Sequence, residues 1–193
     1  MYQLTIEIDD AVVLLLGAPS QTQRLRDRLQ GITRLEKLIF LLERETNLSK
    51  FLTESADFIP YNFGPFSEKI YQEVETLAAA GLITDSAIPA DDISDSWERF
   101  TAIDTLQDIP SQDPYVTRDF ALTPRGKRYY QAVAAQLPTS AIEELAAFKK
   151  NFAGRSLHQL ISYVYTRYPA YTERSLIRDD ILGPPPAYNG TDL

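Results

Sequence analysis

The sequence predicts a mainly α-helical fold with one small β-hairpin, and three stretches of the chain carry that prediction. Gly64-Pro65 opens a run in which Phe66, Ile70, Val74 and Leu77 recur at helical spacing, with Gly81 placed to close it as a left-handed cap. Proline at a first helical position loses no hydrogen bond that the helix would have made, so Gly64-Pro65 reads as the start. Leu82-Ile83 then reads as a first strand, and residues 97–103 and 115–122 as two strands of a hairpin whose long tip holds Pro110 and Pro114. Thr123-Pro124 starts the next helix, with Tyr130, Val133 and Leu137 on one face and Pro138 at its end. A helix that runs through Gly-Leu-Ile into a strand, then a hairpin and another helix, follows the order of a winged helix-turn-helix. The sequence therefore predicts a winged helix with added helices at both ends.

The remaining elements follow in chain order. Residues 2–8 alternate and read as a short strand or an extended arm. Asp9 or Asp10 is placed to cap a short helix through Leu16, stopped by Gly17 and Pro19. Ser20 begins a second helical pattern with Leu25, Leu29 and Ile32 inside and Arg24, Arg26 and Arg28 in solvent. Thr33-Arg34-Leu35-Glu36 has the form of a capping box, and the apolar run from Leu35 to Leu42 predicts the central core helix. Residues 56–61 read as loop or strand. Ser140-Ala141-Ile142-Glu143 and Ser156-Leu157-His158-Gln159 are two more capping boxes. They open helices whose faces carry Ile142, Leu145, Phe148 and Phe152, then Leu157, Leu160, Ile161 and Val164, and which complete the core or form a homodimer contact. Thr172 is placed to cap a last short helix to about Ile181. The sequence thus predicts one domain over residues 1–182, followed by a Pro-rich tail at 183–193.

Composition bounds the class. With 193 residues and 44% hydrophobic content the chain can bury a full core. No apolar run approaches the ~20 residues needed to span a bilayer. The longest, residues 11–16, follows the acidic Glu7, Asp9 and Asp10, where a signal peptide would carry positive charge. These features predict a cytoplasmic protein with no membrane partner. There is no cysteine, hence no disulfide framework, thiol nucleophile or thiolate metal site. The net charge of −8 is unevenly spread. Residues 85–113 hold eight acids against Arg99 alone, a net of −7, while residues 114–178 hold four acids against ten Lys and Arg, a net of +6. The acidic segment reads as a solvated loop, as a protein-binding surface, or as a shield for the basic half.

Three segments also resemble a known group. Residues 33–42 (Thr-Arg-Leu-Glu-Lys-Leu-Ile-Phe-Leu-Leu), then Tyr61-Asn62-Phe63-Gly64-Pro65-Phe66-Ser67, then Gly81-Leu82-Ile83, resemble the YwgA-like family of uncharacterised prokaryotic proteins. More distantly they are similar to the Panacea or SocA-like antitoxin domain. Phe120-Ala121-Leu122-Thr123-Pro124-Arg125-Gly126 resembles the Leu-Thr-x-x-Gly with which winged helices often leave the wing, and residues 163–172 look like the C-terminal part of the same group. The resemblance covers roughly residues 30–180. It implies a regulatory, antitoxin or defence-linked role in a prokaryote, and the segment at 85–113 is where this chain is most individual.

The sequence offers little for catalysis and more for binding. His158 is the single histidine and lies between Leu157 and Leu160, a structural position. One His and no Cys leave no ordinary zinc site, and Asp91, Asp92 and Asp95 lack the spacing of a calcium loop. No Gly-rich phosphate loop and no Gly-x-Ser-x-Gly occurs, so a non-enzymatic protein without metal or cofactor is predicted. For DNA, the 65–80 helix takes the recognition position and the 97–122 hairpin the wing. Lys69 is that helix's one cation, set against Glu68, Glu73 and Glu75, which opposes phosphate contact. Arg118, Arg125, Lys127 and Arg128, where wing meets helix, are the candidate phosphate contacts together with Lys69. Lys149, Lys150 and Arg155 form a further basic group; either set also reads as solvated helix ends. Tyr163, Arg167, Tyr168 and Tyr171 are the candidate partner-binding residues, as an interface hot spot or a stacking platform, and they also read as half-buried packing. The sequence reading is thus a DNA-associated regulator first, and an antitoxin-like or adaptor protein binding a protein partner second.

Overall fold

Two helices that are buried almost all round sit at the centre of the computed structural model, which describes residues 5–89, 95–97 and 116–183. Helix α1 (Ile8–Gly17) buries Ile8 and every residue from Ala11 to Leu16, and helix α2 (Ile32–Glu45) buries every residue from Ile32 to Leu42. At ~1.5–3 kcal/mol per fully buried aliphatic side chain, this pair is the main source of core stability. Around it, in chain order, lie strands β1 (Arg28–Gln30), β2 (Ile59–Tyr61) and β3 (Gly64–Phe66), and helix α3 (Glu68–Ala79). Strands β4 (Ile83–Pro89) and β5 (Val116–Leu122) follow, then helices α4 (Pro124–Ala134), α5 (Thr139–Phe152), α6 (Leu157–Arg167) and α7 (Arg178–Leu182). The protein is mainly helical with two small antiparallel sheets, one ordered β1-β5-β4 and the other the β2-β3 hairpin. The single bridge to the N-terminal arm is parallel, from Ile6 to Leu52. Among the described residues, no helix is long and apolar enough to cross a membrane.

Several expected elements shift, each for a local reason. Residues 20–31 are not a helix: a 3-10 turn at Gln23–Leu25 leads into β1, which pairs Leu29 with Phe120. The Thr33 capping box does not form either. Gly31, at φ +91°, is the N-cap of α2, and Thr33 and Glu36 lie inside the helix. Glu36 instead accepts the Ser67 amide at 3.0 Å, and Lys37 donates to the Pro65 carbonyl at 2.7 Å, so this buried pair grips the β3–α3 junction. Gly64-Pro65 opens a strand rather than a helix. Ser67 takes the N-cap, its Oγ accepting from the Ile70 amide three residues on. Gly64 sits at φ +89°, and a Cβ there would lie 2.6 Å from the Tyr165 ring. The capping box at Ser140 is also absent, because α5 begins at Thr139 after Pro138, whereas the Ser156–Gln159 box forms as expected.

The hairpin of the larger sheet has a different first strand from the one expected. Strand β5 pairs along its whole length with β4, from Ile83 opposite Leu122 to Pro89 opposite Val116. Of the expected strand 97–103, only Trp97 is described; it is in a helical turn with its ring 5.1 Å from His158, and the rest lies outside the described residues. The expected tail likewise lies outside them beyond Gly183. Gly81 closes α3 at φ +68°, with the Leu82 amide reaching back to Leu77, as predicted. Thr123 caps α4 through the Gly126 amide and also donates to the Gly81 carbonyl. A Cβ on Gly126 would lie 1.9 Å from the Leu82 carbonyl oxygen, so only glycine lets α4 leave the sheet this closely. The last segment is a 3-10 turn at Pro169–Thr172 followed by α7, rather than one helix from Thr172.

The C-terminal helices complete the core within a single chain. Leu145 and Phe148 of α5 and Leu157, Leu160, Ile161, Val164 and Tyr165 of α6 are all buried. Lys149, expected on a basic surface, is 1% exposed: its ammonium donates to the carbonyls of Leu16 and Ala18 at 2.6 and 3.1 Å and closes the C-terminus of α1.

A candidate arginine cleft at the sheet edge

Four of the five cations expected to meet phosphate are engaged within the chain. Lys69 lies between Glu54 at 2.9 Å and Asp57 at 2.7 Å and also donates to the Ser55 carbonyl, and these carboxylates hold its ammonium above the ordinary lysine range. Arg118 is paired with Asp85 of the neighbouring strand at 2.6 Å, its guanidinium lying over the rings of Phe120 and Tyr71 at 5.3 and 5.9 Å. Arg125 donates to the Ala80 carbonyl at 2.9 Å and satisfies the end of α3. Lys127 pairs with Asp27 at 2.7 Å. Arg128 alone is exposed with no charge partner among the described residues. The solvent side of α3 carries Glu68, Glu75 and the half-buried Glu73. Burial, then the nearby carboxylates of Asp9, Glu54 and Glu7, push Glu73 above the usual carboxylate range, so this face has a negative potential.

The structure brings the four partner candidates together, around the end of α2. Glu45 accepts from the hydroxyls of Tyr163 at 2.9 Å and Tyr168 at 2.8 Å, and Arg167 lies 4.0 Å away. Arg44 donates to the Tyr171 hydroxyl at 2.8 Å, and Phe40 meets the Tyr168 and Tyr171 rings edge-on at 5.0 and 4.8 Å. Burial and then the Glu45 hydrogen bond push Tyr168 up to about 12. Each hydroxyl thus has a hydrogen-bond partner within the chain, and the cluster ties α6 and the following turn to α2.

A second basic group, missed as a group by the sequence reading, lines an open-sided cleft of about 1040 Å³ where β1 meets the α5–α6 turn. Arg24 and Arg28 come from the turn and strand that were expected to form a solvated helix face, Arg34 from the first turns of α2, and Arg155 from the α5–α6 turn. Arg28 pairs with the buried Asp119 at 2.7 Å. Arg34 is 5% exposed and pairs with Asp95 at 3.2 Å, while it also donates to the Arg155 carbonyl. Asp95 in turn accepts the Leu157 amide at 2.7 Å, so one carboxylate serves both the guanidinium and the N-terminus of α6. Arg155 lies over the rings of Phe152 and Tyr163 at 4.8 and 5.3 Å. The sequence signal for this site was the Arg-x-x-x-Arg spacing of residues 24 and 28, and only the tertiary fold brings it beside Arg155. Among the described residues no group of three His, Cys, Asp or Glu is placed to hold a metal ion, and Asp91 and Asp92 lie outside them.

Fold and cleft together define a mainly helical protein with an arginine-lined recess at the edge of a three-stranded antiparallel sheet. Compared with family models, curated proteins and solved structures, the chain gives no significant match.

Proposed function

We propose that this chain is a winged-helix protein that acts by binding a protein partner, as an adaptor or an antitoxin-like protein, and not by catalysis. The winged-helix reading is supported by the strand order β1-β5-β4, with β1 between the first two helices and the β4–β5 hairpin directly after the third. In such a fold α3 takes the recognition position. The observation that carries the partner reading is the charge of that helix: its solvent side is acidic, and its one lysine is consumed by Glu54 and Asp57. Carboxylates aimed at a duplex backbone oppose the counterion release that drives DNA binding. The same face suits a basic surface on a protein.

A DNA-associated regulator is the second reading, favoured by Arg128 at the start of α4, which is exposed and unpaired among the described residues. Fluorescence anisotropy with random-sequence duplex and single-stranded DNA at about 50 and 200 mM salt separates the two. The partner reading expects no binding at either salt. Binding that weakens steeply with salt, and is lost on reversing Lys127 and Arg128 to Glu, would replace it with the regulator. If the partner reading holds, a binding protein captured by the wild-type chain is released by Glu68→Lys with Glu75→Lys.

A further inference from the structure

We infer that the arginine cleft is a binding site for a phosphate monoester carried on a ligand the size of a nucleotide. This goes beyond the partner-binding reading and does not depend on it, since the cleft lies on the β1 edge and the acidic face on α3.

The argument rests on charge that the protein gathers but does not neutralise. Among the described residues four arginines line the recess, in a chain of net charge −8. Two are matched by carboxylates, Arg28 by Asp119 and Arg34 by Asp95. The other two are not. Arg24 reaches only the neutral amide oxygen of Gln30 at 3.1 Å, and Arg155 only the Asn151 carbonyl at 2.9 Å. Neither has a carboxylate within ion-pair distance among the described residues, so the recess holds two surplus positive charges. A phosphate monoester, with its second pKa near ~6, brings between one and two negative charges at neutral pH and three acceptor oxygens. Planar guanidinium forks match those oxygens two at a time, which a lysine cannot do, and no lysine lines the cleft.

Position and shape agree with the charge. Arg34 is buried and paired with Asp95, Arg28 is held at one end by the buried Asp119, and the Arg155 guanidinium lies over Phe152 and Tyr163. The Thr22, Ser96 and Ser156 side chains add hydroxyl groups to the lining, and Leu25, Ile88 and Trp97 add apolar surface. A volume of about 1040 Å³ is far more than an inorganic anion fills and is at the upper end of ligand pockets, which run to roughly 1,000 Å³. Arginines and apolar surface within one recess describe a nucleoside monophosphate better than a bare anion.

Isothermal titration of the full chain with nucleoside 5′-monophosphates, the corresponding nucleosides and inorganic phosphate tests the assignment. The expected result is saturable binding of at least one monophosphate with a Kd below about 1 mM, with nucleoside and inorganic phosphate each at least tenfold weaker. Arg24→Glu, an exposed position, weakens that binding tenfold or more with its thermal transition retained, and Arg155→Glu does the same where it folds. Arg128→Glu, outside the cleft, leaves the affinity unchanged. No monophosphate binding at about 1 mM, equal binding of inorganic phosphate, or equal losses in the Arg24 and Arg128 variants would each overturn the assignment.

Discussion

The α3 face and the β1-edge cleft use similar side chains to opposite ends. Around α3, three cations are spent on neighbours: Lys69 on Glu54 and Asp57, Arg118 on Asp85, Arg125 on the Ala80 carbonyl. At the cleft two arginines are spent in the same way, but two more are added with no carboxylate partner among the described residues. The difference teaches that neither net charge nor the charge of a segment predicts an electrostatic surface. What counts is the number of cations left after internal pairing, and that number is set by the tertiary fold.

The largest expected effect removes the scaffold on which both regions depend. Gly126→Ala drives a methyl group into the Leu82 carbonyl and should cost about 3 kcal/mol in a urea unfolding series, at the upper end of overpacking. Next, Arg34→Ala sharpens the contrast from the cleft side. It leaves Asp95 without its guanidinium partner, and loss of one member of a buried pair should cost about 3 kcal/mol. An unchanged midpoint would show that the Leu157 and Trp97 amides suffice to hold Asp95.

A third test uses pH and concerns the buried groups that join the two regions. Burial raises the Glu36 carboxyl above its ordinary range, against the opposing charge of Lys37, which burial itself pulls down. A carboxyl raised on folding contributes stability that is full below its ordinary value of 4.5 and is lost as pH rises through the raised one. Burial lowers Lys149 to about 8 from 10.5, and an amine lowered on folding contributes stability above 10.5 that is lost as pH falls through 8. These two contributions therefore leave a trough near neutral pH in a plot of melting temperature against pH. Glu36→Gln, which keeps an acceptor for the Ser67 amide, should flatten the acid side of that trough and leave the alkaline side. A profile unchanged by Glu36→Gln would assign the acid-side slope to other carboxylates.

The smallest effect is expected at the ion pair between α4 and the turn before β1. Lys127→Ala breaks an ion pair with Asp27 that is half open to solvent, and should shift stability by no more than about 0.5 kcal/mol. A loss several times larger would mean that surface pairing, and not core contact, holds α4 against the β1 turn.

Elements whose signals are local were legible in the sequence. Gly81, the Thr123-Pro124 helix start, the Ser156–Gln159 box and the apolar run of α2 all declare themselves within a few residues, and all are found where expected. The errors share one cause. Thr33-x-x-Glu36 has the right spacing for a box, but Glu36 is drawn away by the Ser67 amide, a partner 31 residues distant. Leu25, Leu29 and Ile32 have helical spacing, but Leu29 belongs to a strand because β5 lies beside it. The cleft was hidden for the same reason. Arg24 and Arg155 are more than a hundred residues apart, and nothing near either one announces the other. Conversely, Lys149 looked like surface charge because its partners are carbonyls at the end of α1, which no sequence pattern marks.

Helix α1 has a consequence for how the molecule opens. Its residues from Ala11 to Leu16 are between 0% and 1% exposed, and its last carbonyls are closed by Lys149 from a helix over 130 residues away. It packs against α3, α4, β5 and α5 together, so its amides are uncovered only when several of these elements leave the core. In a deuterium-labelling experiment the amides of Val13 to Leu16 should thus be the slowest to exchange, at a rate set by whole-molecule unfolding. That makes this short helix an internal gauge of global stability, against which the earlier opening of any other segment can be read.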